Sequence, residues 1–384
     1  MSFRRVGPRD NLNRLLRSYP LAKSCRVRRL AGSAQNDSCR LSRQGSGNST
    51  AGLLKADVEP AISKIFGVPK EPVMSASRCI ASALSLFTLI LATSRATWAE
   101  DLYVDNRVGD DIYDGRVERP LDARSGPTRT ISRALRYVRP GDTLHIANDG
   151  VPYFESLEIV GWRFGGHFTI EGNGAVVSGA KIVPFTAWKY LGNEYWRFTP
   201  RRKTFYQIIS GDKALPEHAC APNAAKRPEI PAGTWCAWRG SIYYHVLPGG
   251  AQTKDDVPLA FAVEEVGITL LDASHVTIHN LELRHFRLDG VNVHDRCRNV
   301  ILDNVRLIEN GRAGLAVGGS SQVGLKDSTV EGNRVAQILN SEVAQTELLN
   351  CKIGPAVFEP DGASIRITGG HVLVDEAEVF DLPR

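Results

Sequence analysis

A nine-residue pattern recurs five times between His275 and Val379. It reads HVTIHNLEL at 275–283, NVILDNVRL at 299–307, QVGLKDSTV at 322–330, QTELLNCKI at 345–353 and HVLVDEAEV at 371–379, with starts 24, 23, 23 and 26 residues apart. In each copy apolar residues alternate, change phase at one small turn, and alternate again. Val276, Ile278, Leu281 and Leu283 carry this in the first copy, and Val300, Leu302, Val305 and Leu307 in the second. Alternation of period two marks strands, and a change of phase marks a corner between them. The pivots are Asn280, Asn304, Asp327, Asn350 and Glu376, mostly residue types that accept tight backbone bends and bond to nearby backbone groups. A third short strand per repeat is visible at 267–270, 290–293 and 314–317. A unit of two or three such strands cannot bury its own apolar face, so the copies must stack as a solenoid of parallel strands.

A leucine-rich repeat has a similar period. It requires one strand and a helical or irregular return on a fixed leucine framework, whereas here the alternation holds on both sides of the corner. The pattern resembles the right-handed parallel β-helix, or pectin-lyase-like, superfamily, over residues 100–384 in layout and 267–379 in repeat. The expected fold is therefore all-β: a right-handed parallel β-helix solenoid with an N-terminal cap helix and an inserted antiparallel β-module. The resemblance leaves activity open, because that fold carries polysaccharide lyases, glycoside hydrolases, adhesins and inert stalks.

The formal charge of +5 comes from the leader. Residues 1–99 hold 16 Lys and Arg against 5 Asp and Glu, leaving 31 basic and 37 acidic residues, or −6, for residues 100–384. Nothing in that part points to nucleic acid. Met74 opens a signal-like segment over 74–99: Arg78 is its positive start, 80–93 its apolar run, and Thr97-Trp98-Ala99 its small-residue end. The run is too short to span a bilayer. The expectation is export to the medium, the periplasm or the cell surface with no stable membrane span after cleavage; an uncleaved anchor is the alternative. Residues 1–73 are read as an over-extended start of translation or as a disordered or transit-type leader.

Along the rest of the chain, residues 100–141 are expected to form a first strand and the cap helix. Thr130 serves as its N-cap, Ile131, Ala134, Leu135 and Val138 share one face, and Pro140-Gly141 stops it. The first rungs follow at 142–182 and the remaining ones at 258–384, about seven in all, with no C-terminal cap visible. Between them, 183–257 is rich in aromatics and prolines and reads as an inserted β-module of antiparallel hairpins. Its rings either pack onto the β-helix flank or lie against sugar faces. Cys220 and Cys236 lie 16 apart in this segment, a spacing at which a disulfide is possible in an exported chain. Cys297 is placed in a loop, and Cys351 in the apolar column of Leu281 and Val305.

Charge crowds between His275 and Arg298. One outward column is His279, Asp303 and Lys326, and a second is Glu282, Arg306, Thr329, Lys352 and Glu378. The candidate site is the loop and third strand beside Asp289, with His285, Arg287, His294 and Asp295 expected to converge on it. A uronan lyase needs a cation for the substrate carboxylate and a base for the adjacent proton, which Arg287 or Arg296 and His285 or His294 would supply. A hydrolase needs two carboxylates about 5 to 10 Å apart, for which Asp289 with Asp295 or Asp303 are candidates. No cofactor is expected; calcium held by Asp289, Asp295 and Asp303 is chemically possible. Residues 287–292 match the polygalacturonase Asn-Thr-Asp-Gly-x-Asp only at Asp289 and Gly290, and the pectate-lyase Arg-x-Pro-x-x-Arg is missing. The functional expectation is a secreted protein acting on a polysaccharide by lyase or glycoside-hydrolase chemistry. The alternative is a non-catalytic carbohydrate-binding or surface structural β-helix; the oligomeric state is open.

Overall fold

The computed structural model describes residues 99–161, 167–201, 204–221, 223–247, 259–355, 357 and 364–379. The leader at 1–73 and the signal segment up to Trp98 lie outside the described residues. The chain divides into two compact units, Met1–Ala81 and Ser82–Arg384, and every described residue belongs to the second.

That unit is a parallel β-solenoid of about 9 turns, against the seven or so rungs expected over 142–182 and 258–384. Face A stacks Asp101–Val104, Thr143–Ile146, Phe168–Ser178, Val276–Arg284, Val300–Asp303, Gln322–Lys326, Gln345–Leu349 and His371–Val374, in that order. Around a corner, face C carries the second halves of Phe168–Ser178 and Val276–Arg284, then Arg306–Ile308, Thr329–Glu331 and Lys352–Ile353. Face B is a 6-stranded sheet of Leu157–Val160, Val266–Leu271, Asp289–His294, Ala313–Val317, Ala336–Asn340 and Ile365–Ile367. The register places like on like. Ile170, Ile278, Leu302, Leu325 and Leu348 form one inward column and are all buried, each such side chain contributing about 1.5–3 kcal/mol.

The corner works as the pivot residues suggest. Asn173, Asn280, Asn304, Asp327 and Asn350 are left-handed, with φ of 51°, 51°, 49°, 47° and 52°, the conformation that Asn and Asp tolerate best after glycine. Their side chains form a ladder: Asn304 Nδ2 donates to Asn280 Oδ1 (2.5 Å), Asn280 Nδ2 to Glu171 Oε1 (2.8 Å), and Asn350 Nδ2 to Asp327 Oδ1. A second ladder, wholly buried, lies at the turn into face B. The Phe286 amide donates to Asn310 Oδ1, Asn310 to Asn333 Oδ1, and Asn333 to Gln337 Oε1, so no polar group there is left without a partner.

The fifth copy departs from this plan. Asp375 and Glu376 are both left-handed (φ 46° and 70°), and two consecutive residues of that kind make a two-residue hairpin instead of a corner. Ala377–Val379 therefore folds back antiparallel on His371–Val374, pairing Leu373 with Glu378. Glu378 consequently leaves the outward column, which ends at Lys352, and the edge of His371–Val374 that looked uncapped from sequence is covered by this strand.

At the other end the cap helix is one regular turn, Ile131–Ala134, with Thr130 Oγ1 accepting from the Arg133 amide (3.2 Å). Glu155 accepts from the Ile131 and Ser132 amides (2.9 Å each), a carboxylate on the first-turn N–H groups. Ile131, Ala134, Leu135 and Val138 are all buried in the solenoid core.

The insert interrupts the coil between Ser178 and Val266. One antiparallel sheet joins Ala180–Ile182, Leu259–Ala262, Ile208–Ser210 and Lys213–Ala214; the other joins Trp188–Tyr190, Tyr195–Phe198, Ser241–His245 and Trp235–Trp238. Trp188, Tyr206, Trp235, Tyr244 and Phe261 fill the core between them, so packing accounts for most of the aromatic content.

Candidate functional site

The residues expected to converge beside Asp289 are each engaged with partners of their own. Asp289 opens the strand Asp289–His294 and His294 closes it, which separates them by about 16 Å at the rise of a parallel strand. Asp289 has no exposed surface; Arg312 holds it through Nε (2.8 Å) and Nη2, and Asn292 Nδ2 donates to it (3.0 Å). Burial would lower the Arg312 pKa, but the Asp289 charge and hydrogen bonds outweigh it and raise it, the signature of a closed ion pair.

His285 and Arg287 are buried as well, and their partners say why. His285 Nε2 donates to Glu309 Oε2 (3.0 Å), and the same oxygen accepts from the Ala214 amide of the insert (2.7 Å). Gln207 Nε2 donates to the Glu309 carbonyl (2.7 Å), Arg284 to Asp212 (2.8 Å), and Arg287 to Thr204 Oγ1 (3.3 Å) and Glu265. Arg334 Nη1 donates to the Tyr206 carbonyl (3.2 Å), and its guanidinium pairs with Glu217. Arg284, His285 and Arg287 are thus the seat of the insert, engaged by it directly or through Glu309. Burial would raise the Glu309 carboxyl, but its bonds to His285 and Ala214 and the Arg284 charge hold it below the usual range.

His294 and Asp295 remain partly exposed and bond to each other (Nδ1 to Oδ1, 3.0 Å). Arg296 lies beside Asp272 (3.1 Å). The three carboxylates weighed as calcium ligands stand apart, Asp289 on Arg312, Asp295 on His294 and Asp303 on His279 (3.3 Å); no group of three or more His, Cys, Asp or Glu able to hold a metal occurs among the described residues.

A concave surface lies on face A. The loop after Asp101–Val104 rises beside Thr143–Ile146 and walls a cleft of about 830 Å³ lined by Tyr103, Asp105, Glu118, Arg119, His145 and Asp149. His145 Nε2 is 3.0 Å from Asp101 Oδ1, and its ring stacks on Tyr103 with centroids 5.3 Å apart. Burial, then the Asp101 and Glu118 carboxylates, push the Tyr103 phenol upward, so it stays a protonated donor. Asp105 is committed to the Arg107 and Val108 amides (2.7 and 3.0 Å). Glu118 and Asp149 are exposed.

From this cleft one outward column runs strand by strand: Tyr103, His145, Glu171, His279, Asp303, Lys326. Sequence reading found its last three members through the repeat. It missed the first three because Tyr103 and His145 lie outside the period and 42 residues apart; their only signal is an outward polar position in a short strand. Cys297 is buried, its thiol donating to the His294 carbonyl (3.3 Å), and Cys351 is partly buried against the core.

Residues 261–368 match the family model described as a right handed beta helix region. No curated protein matches the chain. Among solved structures it is similar to XylC in complex with xylose, at 11% identity over 65% of this chain and 58% of that one (TM-score 0.43). It is also similar to a GH136 lacto-N-biosidase from Eubacterium ramulus, at 10% identity over 72% of this chain and 58% of that one (TM-score 0.21). The chain thus spans 58% of the length of each. No helix among the described residues is long and apolar enough to cross a membrane. With its coils in one register from Asp101 to Val374, the chain folds as a parallel β-helix, and its residues 261–368 are those that match the right handed beta helix region.

Proposed function

We propose that the protein binds a polysaccharide along face A and hydrolyses it in the cleft beside Tyr103 and His145. The observation that carries this reading is the unbroken column from Tyr103 to Lys326, six outward side chains on successive strands. At a strand spacing of about 4.8 Å it spans roughly 24 Å, a straight polar track with an aromatic head and no part in the core. Electrostatics favours a neutral glycan. The charged lining of the cleft is Asp105, Glu118, Asp149 and one Arg119, on a folded part whose formal charge is −6, which repels a polyuronide. The exposed carboxylates Glu118 and Asp149 then take the two roles hydrolysis demands: one donates a proton to the glycosidic oxygen, and the other activates water or attacks the anomeric carbon. The Tyr103 ring lies against a sugar face while its phenol donates to a hydroxyl. Export through the segment at 74–99 suits such a substrate.

The test is incubation of the full chain with neutral glycans and polyuronides, following binding, reducing ends and unsaturated-product absorbance. The expected result is reducing ends from a neutral glycan, lost in Glu118→Gln and Asp149→Asn. Unsaturated product from a polyuronide would overturn the hydrolytic reading. A non-catalytic carbohydrate-binding protein is the second reading, favoured by the engagement of Arg284, His285 and Arg287 in seating the insert and of Asp289 by Arg312; binding along face A without product decides for it.

A further inference from the structure

The segments 216–221 and 223–234 attach to the insert's strand Trp235–Trp238 by specific bonds. Trp235 N donates to the Pro216 carbonyl (3.2 Å) and His218 N to the Trp235 carbonyl (2.8 Å), and Glu217 forms a β-bridge with Trp235. Tyr195 OH bonds to both the amide and the carbonyl of Ile230 (3.2 Å each), and Trp238 Nε1 to the Ala224 carbonyl (3.1 Å). Cys220 packs into the small cluster of Tyr195, Ile230, Cys236 and Tyr243. Cys236 has no exposed surface, while Cys220 is half-buried and its thiol donates to the His218 carbonyl (3.4 Å). Cys220 and Cys236 thus share one packed cluster, and neither is bonded to another cysteine.

We propose that Cys220 and Cys236 are a disulfide-forming pair that staples the 216–221 segment to the insert when the protein meets a thiol–disulfide oxidant. Access fixes the order of events. The Cys220 thiolate attacks a sulfur of the oxidant's disulfide, expelling one oxidant thiolate and leaving a mixed disulfide. The Cys236 sulfur then gives up its proton to solvent and attacks Cys220, so the S–S bond closes and the second oxidant thiolate leaves. The protein loses two electrons and two protons, and the oxidant becomes a dithiol or two thiols. Burial pushes the Cys236 thiol upward, which suits the resolving partner and not the first attacker. The bond closes a loop of the size for which cross-linking restricts the unfolded chain appreciably, in a segment otherwise held by a few hydrogen bonds. Cys297 and Cys351 belong to the solenoid core, a cluster separate from the one that holds Cys220 and Cys236.

The full chain is equilibrated in oxidised glutathione or in dithiothreitol, alkylated after unfolding, and digested without reduction. The expected result is a Cys220–Cys236 cross-linked peptide in the oxidised sample alone, with Cys297 and Cys351 alkylated in both. Melting should fall on reduction in the native sequence, while Cys220→Ser and Cys236→Ser melt at the reduced value in either buffer; Cys297→Ala keeps the redox difference. Full alkylation of both cysteines after oxidation overturns the proposal, as does pairing of either with Cys297 or Cys351. An unchanged melting temperature on reduction of the mapped bond overturns its role as a staple.

Discussion

At the scale of single residues, Asp289 shows how a buried ion pair imitates a catalytic acid in sequence. Both need carboxylates and guanidinium groups close together, and the pairing partner Arg312 sits 23 residues on, one coil away, where sequence crowding does not reveal it. Asp289→Ala takes the buried carboxylate away from the half-buried Arg312 guanidinium, and should cost about 3 kcal/mol in urea unfolding. Glycan turnover per folded molecule should be unchanged, because the cleft is on another face. A fall in turnover without a fall in stability would return Asp289 to the site. His145→Ala should do the opposite. It leaves the unfolding midpoint near that of the native protein and weakens glycan binding roughly tenfold, about 1.4 kcal/mol, as read by calorimetric titration. If the column serves only to alternate charge along the sheet, the midpoint will drop and affinity will not.

At the scale of elements, the corner was legible and its last instance was not. Four pivots, three Asn and one Asp, share a position and, in the structure, a φ near 50°, so period and turn chemistry agree. In the fifth copy the same spacing of apolar residues is kept, but Asp375 joins Glu376 in the left-handed region, and one extra residue there changes a corner into a hairpin. Alternation cannot distinguish the two, because both leave the following strand apolar at every second position. Asn304→Ala should cost about 1–2 kcal/mol from the left-handed backbone, plus the Asn280 bond, whereas Asn304→Gly should recover most of the backbone share. Glu376→Gly should be stabilising, because glycine carries no penalty at a φ of 70°. Thermal melts of the three variants order these effects, and equal losses in Asn304→Ala and Asn304→Gly would remove the backbone argument.

At the scale of the molecule, the insert and the solenoid are joined by ionisable groups buried to different degrees, and this gives docking a pH range. On the acid side Glu309 is held below the usual carboxylate range by His285, Ala214 and Arg284, so its contribution is lost as pH falls through that lowered value. On the alkaline side Glu217 decides. Burial raises its pKa to about 7, although Arg334 pulls it back, and the same burial lowers Arg334; desolvation outweighs attraction for this pair. A carboxyl whose folded pKa lies above its unfolded one contributes most below the unfolded value, and loses that contribution as pH rises through the folded one. From an ordinary 4.5 to about 7, the loss amounts to about 3 kcal/mol. The insert should therefore melt or undock more readily at pH 8 than at pH 5.5, read by hydrogen exchange at Tyr206 to Ala214 and at Glu309 to Arg312. Glu217→Gln, which keeps an acceptor for Arg334 without a titrating group, should flatten that slope while leaving the Glu309 loss at acid pH in place. A slope that persists in Glu217→Gln would assign the alkaline limb to another group.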